Sequence, residues 1–458
     1  MAVWSIINKN EIEGSSRIDA EYYQPNILDA ANAVLKSSHS TLGSLVKNGY
    51  RVVYENTKIL TEEEVNHDKD CLFMQAANIS SDGLSFDVEN MGYVHEADWI
   101  RYPKGRVNEG EILIEVKGQA EKVAIVPSYV PERTLVSGTL YKLCLKKGLS
   151  HEYLFAYMSS RYGKLLRDRL KTNTLIAYVS KPDLYSIPVY LPGKETEQEI
   201  KELIKESYKV VQEAKSMYSK AEEIVLVEIG LRKLDIKDDL FYTASLNEVK
   251  DCNRIDAEYY IPKYKILMHH IAKFSPQQLD DLGRFKKGIE PGSEKYEDQG
   301  APFIRVSNIS KMELNDNNQK YLAKEYYNEL RRNYEPKIDE MLLTKDATPG
   351  IAYILKEKVE GIISGGIIRV KLNPGVKKEY VALVINSLIG QMQIKRDAGG
   401  AIINHWRPDQ IRAMVIPMLS QPIQEKIEEI CLESFNKRKE GKRLLEQAKS
   451  KIEAMIDR

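Results

Sequence analysis

The stretch Arg-Ile-Asp-Ala-Glu-Tyr-Tyr occupies residues 17–23, and the same seven residues recur at 254–260. The match extends outward at the same spacing of 237 residues, so that Trp4 answers Phe241. An internal repeat of this length indicates two related domains rather than a solenoid of short repeats. The sequence therefore predicts two copies of one structural unit.

Further matches follow in the same order along both copies, with a slowly shrinking offset. The matched positions are Asn78 with Asn308, 112–114 with 341–343, Ser137 with Ser364, and Pro182 with Pro408. Insertions and deletions in surface loops produce such a drift, because loops accept changes of length better than the elements they join. We expect the two copies to share a scaffold and to differ in their loops.

The composition excludes several classes of protein. Lysine plus arginine equals aspartate plus glutamate, at 67 each, so a nucleic-acid binder would need to concentrate its basic residues locally. The 4 cysteines and 7 histidines show no metal-ligand spacing, so we expect no metal site. No signal peptide opens the chain, and no apolar stretch approaches the roughly 20 residues of a membrane span. We expect a soluble, cytoplasmic protein without a membrane partner.

Each copy opens with a predicted short helix over the repeated motif. Arg17 and Glu21 have the i, i+4 spacing of a helical charge pair. Pro25 would end this helix, as Pro262 would in the second copy. We interpret the motif as a packing helix with a solvated charge pair rather than as a ligand contact.

The middle of each copy mixes strands and helices. Apolar runs of strand length, bounded by Gly or Pro, predict strands at 111–116, 122–126, 340–344 and 351–355. Helical spacing of apolar residues predicts helices at about 151–170 and 378–396. The fold class is therefore α+β.

A heptad pattern from 195 to about 229 predicts a long helix at the end of the first copy, and the pattern recurs 227 residues later. The predicted seam is Ile200, Leu203, Ser207, Val210, Ala214, Met217, Ala221 and Ile224, matched by Ile427, Ile430, Ser434, Lys437, Gly441, Leu444, Ala448 and Lys451. Such a seam needs a partner helix, and each long helix is the obvious partner of the other. A helix of this size is on the order of 50 Å long, enough to span two related DNA sites roughly 34 to 36 Å apart.

Catalytic motifs are missing from the sequence. We find no Gly-rich cofactor loop, no Asn-Pro-Pro-Tyr of amino-methyltransferases and no phosphate-binding loop. One pattern favours an enzyme: Glu115 and Lys117 on a strand resemble half of a Mg²⁺-dependent nuclease site. The second copy has Thr344 in place of the carboxylate. A nuclease using Glu115 and Lys117 stays open as an alternative, as does a coiled-coil scaffold that binds no DNA.

If the globular parts bind double-stranded DNA, their loops should carry donors for phosphates and base edges. Two segments at equivalent positions do so in each copy. The candidates are Lys117, Gln119, Lys122, Arg167, Arg169, Lys171 and Asn173 in the first copy, and Lys345, Thr348, Lys395, Arg396, Asn404 and His405 in the second. Different residues at like positions are what two heads reading different half-sites would require, although a solvated basic surface would look similar.

The repeated motif, the run Pro-Phe-Ile-Arg-Val-Ser-Asn-Ile at 302–309, the turn Leu-Leu-Thr-Lys-Asp at 342–346 and the Ile-Pro before each long helix occur in a characteristic order. In this order the chain resembles, over nearly its whole length, the specificity subunits of type I restriction-modification systems. The resemblance implies target recognition domains at 1–192 and 233–418 and conserved spacer helices at 193–232 and 419–458.

The resemblance further implies that each recognition domain reads one half of a bipartite DNA site and that the helices pair as an antiparallel coiled coil. Two methyltransferase subunits, which carry S-adenosylmethionine, would dock on the coil, and restriction subunits would join them. This chain would then hold no cofactor and no catalytic residue. The first copy departs from the family at Glu115-Val116-Lys117, where residues like Thr-Lys-Asp are common.

Overall fold

The computed structural model describes residues 4–458 except for 11, 13–16, 62, 173–175, 235–240, 253, 317 and 400–404. The chain divides into two compact units. Unit 1 comprises Met1–Glu213 and Lys437–Arg458, and unit 2 comprises Ala214–Asn436. Each unit therefore contains a part of both long helices. In the described part of the chain, no helix combines the length and the low charge that a lipid bilayer crossing requires.

Unit 1 is built from short helices and four small sheets. Its α-helices are α1 Pro25–Lys36, α2 Leu42–Leu45, α3 Glu96–Arg101, α4 His151–Ser159, α5 Arg161–Asp168, α6 Lys181–Ser186 and α7 Lys194–Ile229, which continues into unit 2, and its 3₁₀ turns are Ala20–Tyr23, Ala76–Asn78 and Pro103–Gly105. Its strands are β1 His39–Thr41, β2 Val46–Tyr50, β3 Cys71–Met74, β4 Gly92–Val94, β5 Ile112–Glu115, β6 Lys117–Gly118, β7 Val123–Ile125, β8 Thr134–Val136, β9 Leu140–Leu145, β10 Ala177–Tyr178 and β11 Pro188–Tyr190. The sheet orders are β2-β9-β5-β7, β4-β3-β8, β1-β11 and β10-β6.

Unit 2 repeats this plan. Its α-helices are α8 Leu246–Cys252, α9 Pro262–Ile271, α10 Leu279–Leu282, α11 Lys324–Tyr334, α12 Lys378–Asn386, α13 Leu388–Asp397, α14 Pro408–Ala413 and α15 Gln421–Ile456, which continues into unit 1, and its 3₁₀ turns are Leu231–Lys233, Ala257–Tyr260, Ala272–Phe274, Ser293–Lys295 and Val306–Asn308. Its strands are β12 Gln277–Gln278, β13 Gly283–Lys287, β14 Tyr296–Glu297, β15 Ala301–Ile304, β16 Lys320–Leu322, β17 Met341–Thr344, β18 Ala352–Ile354, β19 Ile362–Ile363, β20 Ile367–Leu372 and β21 Val415–Ile416. The sheet orders are β13-β20-β17-β18, β14-β16-β15-β19 and β12-β21.

The mixture of helix and sheet confirms the predicted α+β class, and the four-stranded sheets of the two units have corresponding strand orders. The correspondence extends to buried ion pairs. Lys142 Nζ lies 2.9 Å from Glu111 Oε1 in unit 1, and Arg369 Nε lies 3.3 Å from Glu340 Oε2 at the equivalent place in unit 2. These pairs join neighbouring strands of the four-stranded sheet in each unit.

The middle strand β5 is buried on both faces. Ile112 and Ile114 belong to a cluster that includes the almost completely buried helix α4, whereas Leu113 belongs to a second cluster on the other side of the sheet. Successive side chains of a strand point to opposite faces, so a strand covered on both sides is apolar at every position. This explains the continuous apolar run Ile-Leu-Ile. In unit 2, Met341 and Leu343 likewise contact one cluster and Leu342 another.

The predicted helix over the repeated motif is wrong. The motif forms only a 3₁₀ turn at Ala20–Tyr23, and Pro25 is the first residue of α1 rather than the end of a helix. In unit 2, Pro262 begins α9 in the same way. A proline is favourable at the first helical position, because its missing N–H needs no partner there and its φ angle is already helical.

The predicted strands are confirmed within a residue or two, but each predicted middle helix is two helices. The chain bends at Ser160, between α4 and α5, and at Ser387, between α12 and α13. Three residues after each serine is a glycine, Gly163 or Gly390. A Cβ on either would lie 2.2 or 2.1 Å from a carbonyl oxygen of the preceding helix, so these corners require glycine.

The predicted long helices are confirmed, whereas only half of the predicted seam is correct. The serine, alanine and glycine positions are buried as predicted, together with Ile200, Ile427 and Leu444, but eight further buried residues lie one position later than a predicted one. These are Ile204, Val211, Tyr218 and Val225 in α7, and Cys431, Arg438, Leu445 and Ile452 in α15. Lys437 and Lys451, which the prediction placed in the seam, are half-buried or exposed. The buried face is shifted because each helix packs against its globular part as well as against another helix, as Tyr208 of α7 does on Phe155.

Within each unit, segments of the two long helices approach closely. In unit 1, Ser207 Oγ donates to the carbonyl oxygen of Gly441 at 2.7 Å, and Lys451 forms an ion pair with Glu199. The α7 and α15 segments of unit 1 therefore run in opposite directions. In unit 2, Ser434 Oγ donates to the carbonyl oxygen of Ala214 at 2.6 Å. The two serines occupy matched places in the repeat.

A buried ion pair fastens α15 to the globular part of unit 1. Arg438 Nη2 lies 2.9 Å from Asp82 Oδ2, and both side chains are largely buried. Burial alone would raise the pKa of Asp82, but Arg438 and Lys442 hold that pKa below its ordinary value. The carboxylate therefore stays charged in the folded protein at neutral pH.

We predict that Gly441→Leu lowers the stability of the protein by about 1–3 kcal/mol or more, because a Cβ at this position would lie 2.4 Å from Val211 Cγ2. The urea midpoint of unfolding measures the effect. Gln447→Leu adds the same side chain at an exposed position of α15 and should leave the midpoint nearly unchanged. Equal midpoints for both variants would show that the helices do not depend on this close approach.

We predict that Arg438→Met destabilises the protein by roughly 3–5 kcal/mol, because it leaves the Asp82 carboxylate buried without its partner. The double variant Arg438→Met, Asp82→Leu should recover most of the loss. Since the pKa of Asp82 is lowered on folding, the pair stabilises the protein above the unfolded pKa of about 3.9 and stops doing so as the pH falls through the folded value. The difference in urea midpoint between the wild type and Arg438→Met should shrink as the pH falls, beginning above the unfolded pKa of about 3.9, because without Arg438 burial raises the pKa of Asp82 in the variant. A difference that does not change with pH would contradict this account.

Candidate nucleic-acid interface

In unit 1 the two predicted DNA-contacting segments lie side by side. Strand β6, which holds Lys117, pairs with β10, which holds Tyr178. The Thr172 N–H donates to the Tyr178 carbonyl oxygen at 3.1 Å, and Lys171 Nζ lies 3.8 Å from Glu121. Segments separated by some fifty residues thus form one local surface.

The loop that follows β5 is organised by the Glu115 carboxylate. This buried group accepts backbone N–H bonds from Gln119 at 3.3 Å, from Glu121 at 3.0 Å and from Lys122 at 3.2 Å. The chain can turn this tightly because Gly118 and Ala120 adopt positive φ angles of 110° and 53°. Lys117 and Gln119 are exposed at the tip.

Two of the predicted contact residues in unit 1 belong to the interior. Arg167 is 4% exposed and donates to the carbonyl oxygens of Glu121 and Met158, at 2.8 and 3.2 Å. Lys122 Nζ donates to the carbonyl oxygens of Ala76 and Ile79, at 2.8 and 2.6 Å. Burial lowers the pKa of both side chains. Their donors bind protein carbonyl oxygens, so the structure places both side chains inside unit 1 rather than at the tip of the loop.

Arg169 and Lys171 are held by neighbouring side chains. The Arg169 guanidinium lies 4.0 Å from the centre of the Tyr22 ring and donates to the Tyr22 carbonyl oxygen. Lys171 Nζ lies 2.7 Å from Asp168 Oδ1. Asn173 lies outside the described residues. Lys117 and Gln119 are therefore the most accessible donors among the candidates of unit 1.

The repeated motif secures the second segment in both units. Arg17 forms a two-pronged ion pair with Asp19, at 2.6 and 2.7 Å, and donates to the carbonyl oxygen of Lys171 at 3.1 Å. Arg254 does the same with Asp256 and donates to the carbonyl oxygen of Asp397 at 2.8 Å. The hydrogen bond from Arg17 holds the pKa of Asp19 below its ordinary value. The motif therefore has a packing role, as the interpretation of the sequence expected.

In unit 2 the two candidate segments also meet. His405 Nδ1 lies 2.8 Å from Asp346 Oδ1, and the Trp406 N–H donates to the Lys345 carbonyl oxygen at 2.8 Å. Lys345 Nζ binds the other Asp346 oxygen. Burial acts to raise the pKa of Asp346, but the bonds from Lys345 and His405 hold it below its ordinary value.

A hydroxyl organises the loop of unit 2 where a carboxylate does so in unit 1. Thr344 Oγ1 donates to the Thr348 carbonyl oxygen at 2.6 Å and accepts from the Ile351 N–H at 2.9 Å. Ala347, with a φ angle of 61°, makes the turn. Thr348 is exposed at the tip, as Gln119 is in unit 1.

As in unit 1, some of the candidate residues of unit 2 are held by protein groups and others are exposed. Arg396 binds Asp397 through two hydrogen bonds and lies 5.3 Å from the Tyr259 ring, and Lys345 is buried beside Asp346. Lys395 and His405 are exposed. Asn404 lies outside the described residues.

Sequence reasoning missed a contact in unit 1. The guanidinium carbon of Arg51 lies 5.2 Å from the centre of the Tyr178 ring, beside the paired strands β6 and β10. Neither residue belongs to a motif, and they lie far apart in the chain. No local pattern in the sequence connects the two positions.

The geometry weakens the nuclease alternative. Both oxygens of Glu115 already accept backbone N–H bonds inside the loop. Within the described ranges, no group of three or more His, Cys, Asp or Glu side chains is arranged to hold a metal ion. Glu115 therefore acts here as a structural acceptor.

No protein-family model matches the sequence, and no curated protein matches it. Among solved structures, the chain is similar to the S subunit of a type I restriction-modification system from M. genitalium, with a TM-score of 0.36 and 12% identity over 92% of this chain and 94% of that one. It is also similar to the HsdS subunit from Thermoanaerobacter tengcongensis, with a TM-score of 0.27 and 11% identity over 91% and 95%. The type IIG restriction endonuclease BpuSI matches 43% of this chain and 30% of its own length, with a TM-score of 0.31 and 10% identity. At such identities and TM-scores, the likeness does not determine what this chain binds.

We predict that Glu115→Ala destabilises unit 1 by about 1–3 kcal/mol and speeds amide hydrogen exchange at Gln119, Glu121 and Lys122, because three backbone donors lose their acceptor. Glu109→Ala removes an exposed carboxylate nearby and should change neither quantity. Neither variant should alter DNA cleavage with Mg²⁺. A Mg²⁺-dependent cleavage that Glu115→Ala alone abolishes would support the nuclease alternative instead.

Proposed function

We propose that this protein is the sequence-specific DNA-binding subunit of a type I restriction-modification complex, with one target recognition domain in each half of the chain. One observation carries the proposal. Both units bring two loops together on the same scaffold, and the exposed side chains of those loops differ. Two heads that read different half-sites of a bipartite DNA sequence require this combination, because phosphate contacts position a protein whereas base contacts specify the sequence.

The exposed donors suit contacts to a DNA duplex. Lys117 and Lys395 can neutralise phosphates, and their contribution should weaken as salt is added. Gln119, Thr348 and His405 are neutral or titratable groups that can donate to base edges in the major groove. The difference between a glutamine tip and a threonine tip favours different sequences in the two half-sites.

We propose that α7 and α15 pair as an antiparallel coiled coil that sets the spacing of the half-sites. Each helix has 36 residues and is therefore about 54 Å long. Successive turns of DNA present equivalent faces roughly 34 to 36 Å apart, a distance that a helix of this length can span. The bonds from Ser207 to Gly441 and from Ser434 to Ala214 support pairing along both halves of the helices.

The chemistry of the complex would belong to its partners. Two methyltransferase subunits would hold S-adenosylmethionine and dock on the coil, and restriction subunits would join them. An open groove between the α7 and α15 segments of unit 1 supports docking there. Leu203, Leu444 and Ala454 line it, with the carboxylates of Glu199, Glu202 and Glu206 at its edge. An apolar strip beside charged groups is suited to a partner helix.

We predict that the purified complex with its methyltransferase subunits selects, from random-sequence duplexes, two fixed blocks of bases separated by a spacer of constant length. Sequencing of the bound fraction gives the motif, and the affinity should fall steeply with salt concentration. The methyltransferase subunits alone are the control and should enrich no sequence. A single block, or no enrichment at all, would overturn the proposal, and the second result would favour a scaffold that does not bind DNA.

Lys117→Ala refines the same test. It should weaken binding to all sequences by a similar factor and reduce the salt dependence, as the loss of one phosphate contact does. Lys209→Ala is the matched control, because Lys209 is an exposed lysine on α7 that pairs with Glu206. It should leave the affinity unchanged.

A further inference from the structure

Arg51 in unit 1 has an unusual environment. Its guanidinium carbon lies 5.2 Å from the centre of the Tyr178 ring. Its Nε atom is buried and makes no hydrogen bond, and Arg51 has neither a hydrogen bond nor an ion pair with any residue that the structure describes. A guanidinium carries five N–H donors, and buried donors in native proteins are nearly always satisfied.

The comparison with other arginines of this chain makes Arg51 stand out. The others whose Nε is buried without a hydrogen bond donate to protein carbonyl oxygens through their remaining nitrogens. These arginines are Arg133, Arg167, Arg305 and Arg369. Arg51 is positioned by an aromatic ring instead, which leaves its planar set of donors available to a molecule from outside.

The place of Arg51 adds a second line of support. Tyr178 belongs to β10, which pairs with Lys117 of β6, so the Arg51 guanidinium lies where the two candidate loops meet. A second cation lies near Arg51. Lys104 is exposed, and its Nζ lies 5.7 Å from the centre of the ring of Tyr50, the residue before Arg51. The surroundings of Arg51 are thus those expected for contact with a polyanion.

Unit 2 carries a different side chain at this position. Strand β2 has a bulge between Val46 and Asn48, after which Tyr50 pairs with Lys142 as Lys286 pairs with Arg369, so Lys287 stands at the position of Arg51. Lys287 is exposed and carries a charge, but it lacks the planar fork of a guanidinium. An arginine fork at this position therefore occurs in unit 1 and not in unit 2.

We infer that Arg51, whose guanidinium lies over the Tyr178 ring, reads a guanine in the half-site of unit 1, an inference that rests on the proposed function. Guanine presents two acceptors in the major groove, O6 and N7, at the spacing of two guanidinium donors. Arginine paired with guanine in this way is the most frequent specific contact between proteins and DNA. Contact with the ring restricts the side chain before binding, so less conformational freedom is lost when DNA binds.

The test is selection from random-sequence duplexes by the complete complex, carried out with the wild type, Arg51→Ala, Arg51→Lys and Arg101→Ala. The wild type should select a fixed guanine in one block. Arg51→Ala should lower the preference for guanine at that single position by roughly 5- to 140-fold and leave the other block unchanged. Arg51→Lys keeps the charge but not the planar fork, so the preference should still fall.

Arg101→Ala is the matched control. Arg101 also lies over a tyrosine ring, 5.4 Å from the centre of Tyr102, but its guanidinium is paired with Glu55 at 2.7 Å. This variant should select the wild-type motif. Urea midpoints equal to that of the wild type show that each variant folds.

The outcomes separate the inference from the proposed function. If the wild type selects two blocks and Arg51→Ala selects the same motif, the assignment of Arg51 is overturned and the proposed function stands. A uniform loss of affinity in Arg51→Ala, with every base preference kept, would also overturn base reading in favour of a phosphate contact. If the wild type selects no bipartite motif, the proposed function itself fails.

Discussion

The strand that leads into each candidate loop is buried on both faces, and the arrangement of the loop depends on this constraint. Alternate residues of β5 contact different clusters, and β17 does the same in unit 2. Where such a strand ends, its polar backbone groups have no water and must find partners in the protein. Glu115 satisfies them with a carboxylate and Thr344 with a hydroxyl. The loop tips therefore leave the scaffold at a defined place, whatever side chains they carry.

The repeated motif performs the corresponding task for the second segment. Arg17 and Arg254 each bind an aspartate two residues later and a backbone carbonyl at the end of a distant helix. One partner is an aspartate of the motif itself and the other is a backbone carbonyl oxygen. Neither contact depends on which side chains the candidate DNA-contacting segment carries. This explains how one sequence of seven residues can serve two units whose adjoining segments differ. The scaffold contacts can stay the same in both units because they are made to the backbone, whereas the exposed side chains of the tips are free to differ.

The chain has equal numbers of acidic and basic residues, and many of the basic ones near the candidate loops bind other protein groups. Several basic residues near the loops are structural, since Arg167 and Lys122 bind carbonyl oxygens and Arg396 binds Asp397. Lys117 and Lys395 are exposed in the candidate segments. A protein with this distribution would depend on local charge and on base contacts rather than on a strong overall field.

The sequence by itself determined the duplication, the α+β class, the two long helices and the position of the candidate loops, because identity, periodicity and turn residues are local properties. Only the tertiary structure decided which side of each helix is buried. Leu203 and Ile204 are both apolar, and contact with the globular part selects Ile204. It also decided that Arg167 is internal and that Arg51 meets Tyr178. Burial and pairing of this kind depend on residues far apart in the chain, and no local pattern of amino acids records which of them the fold brings together.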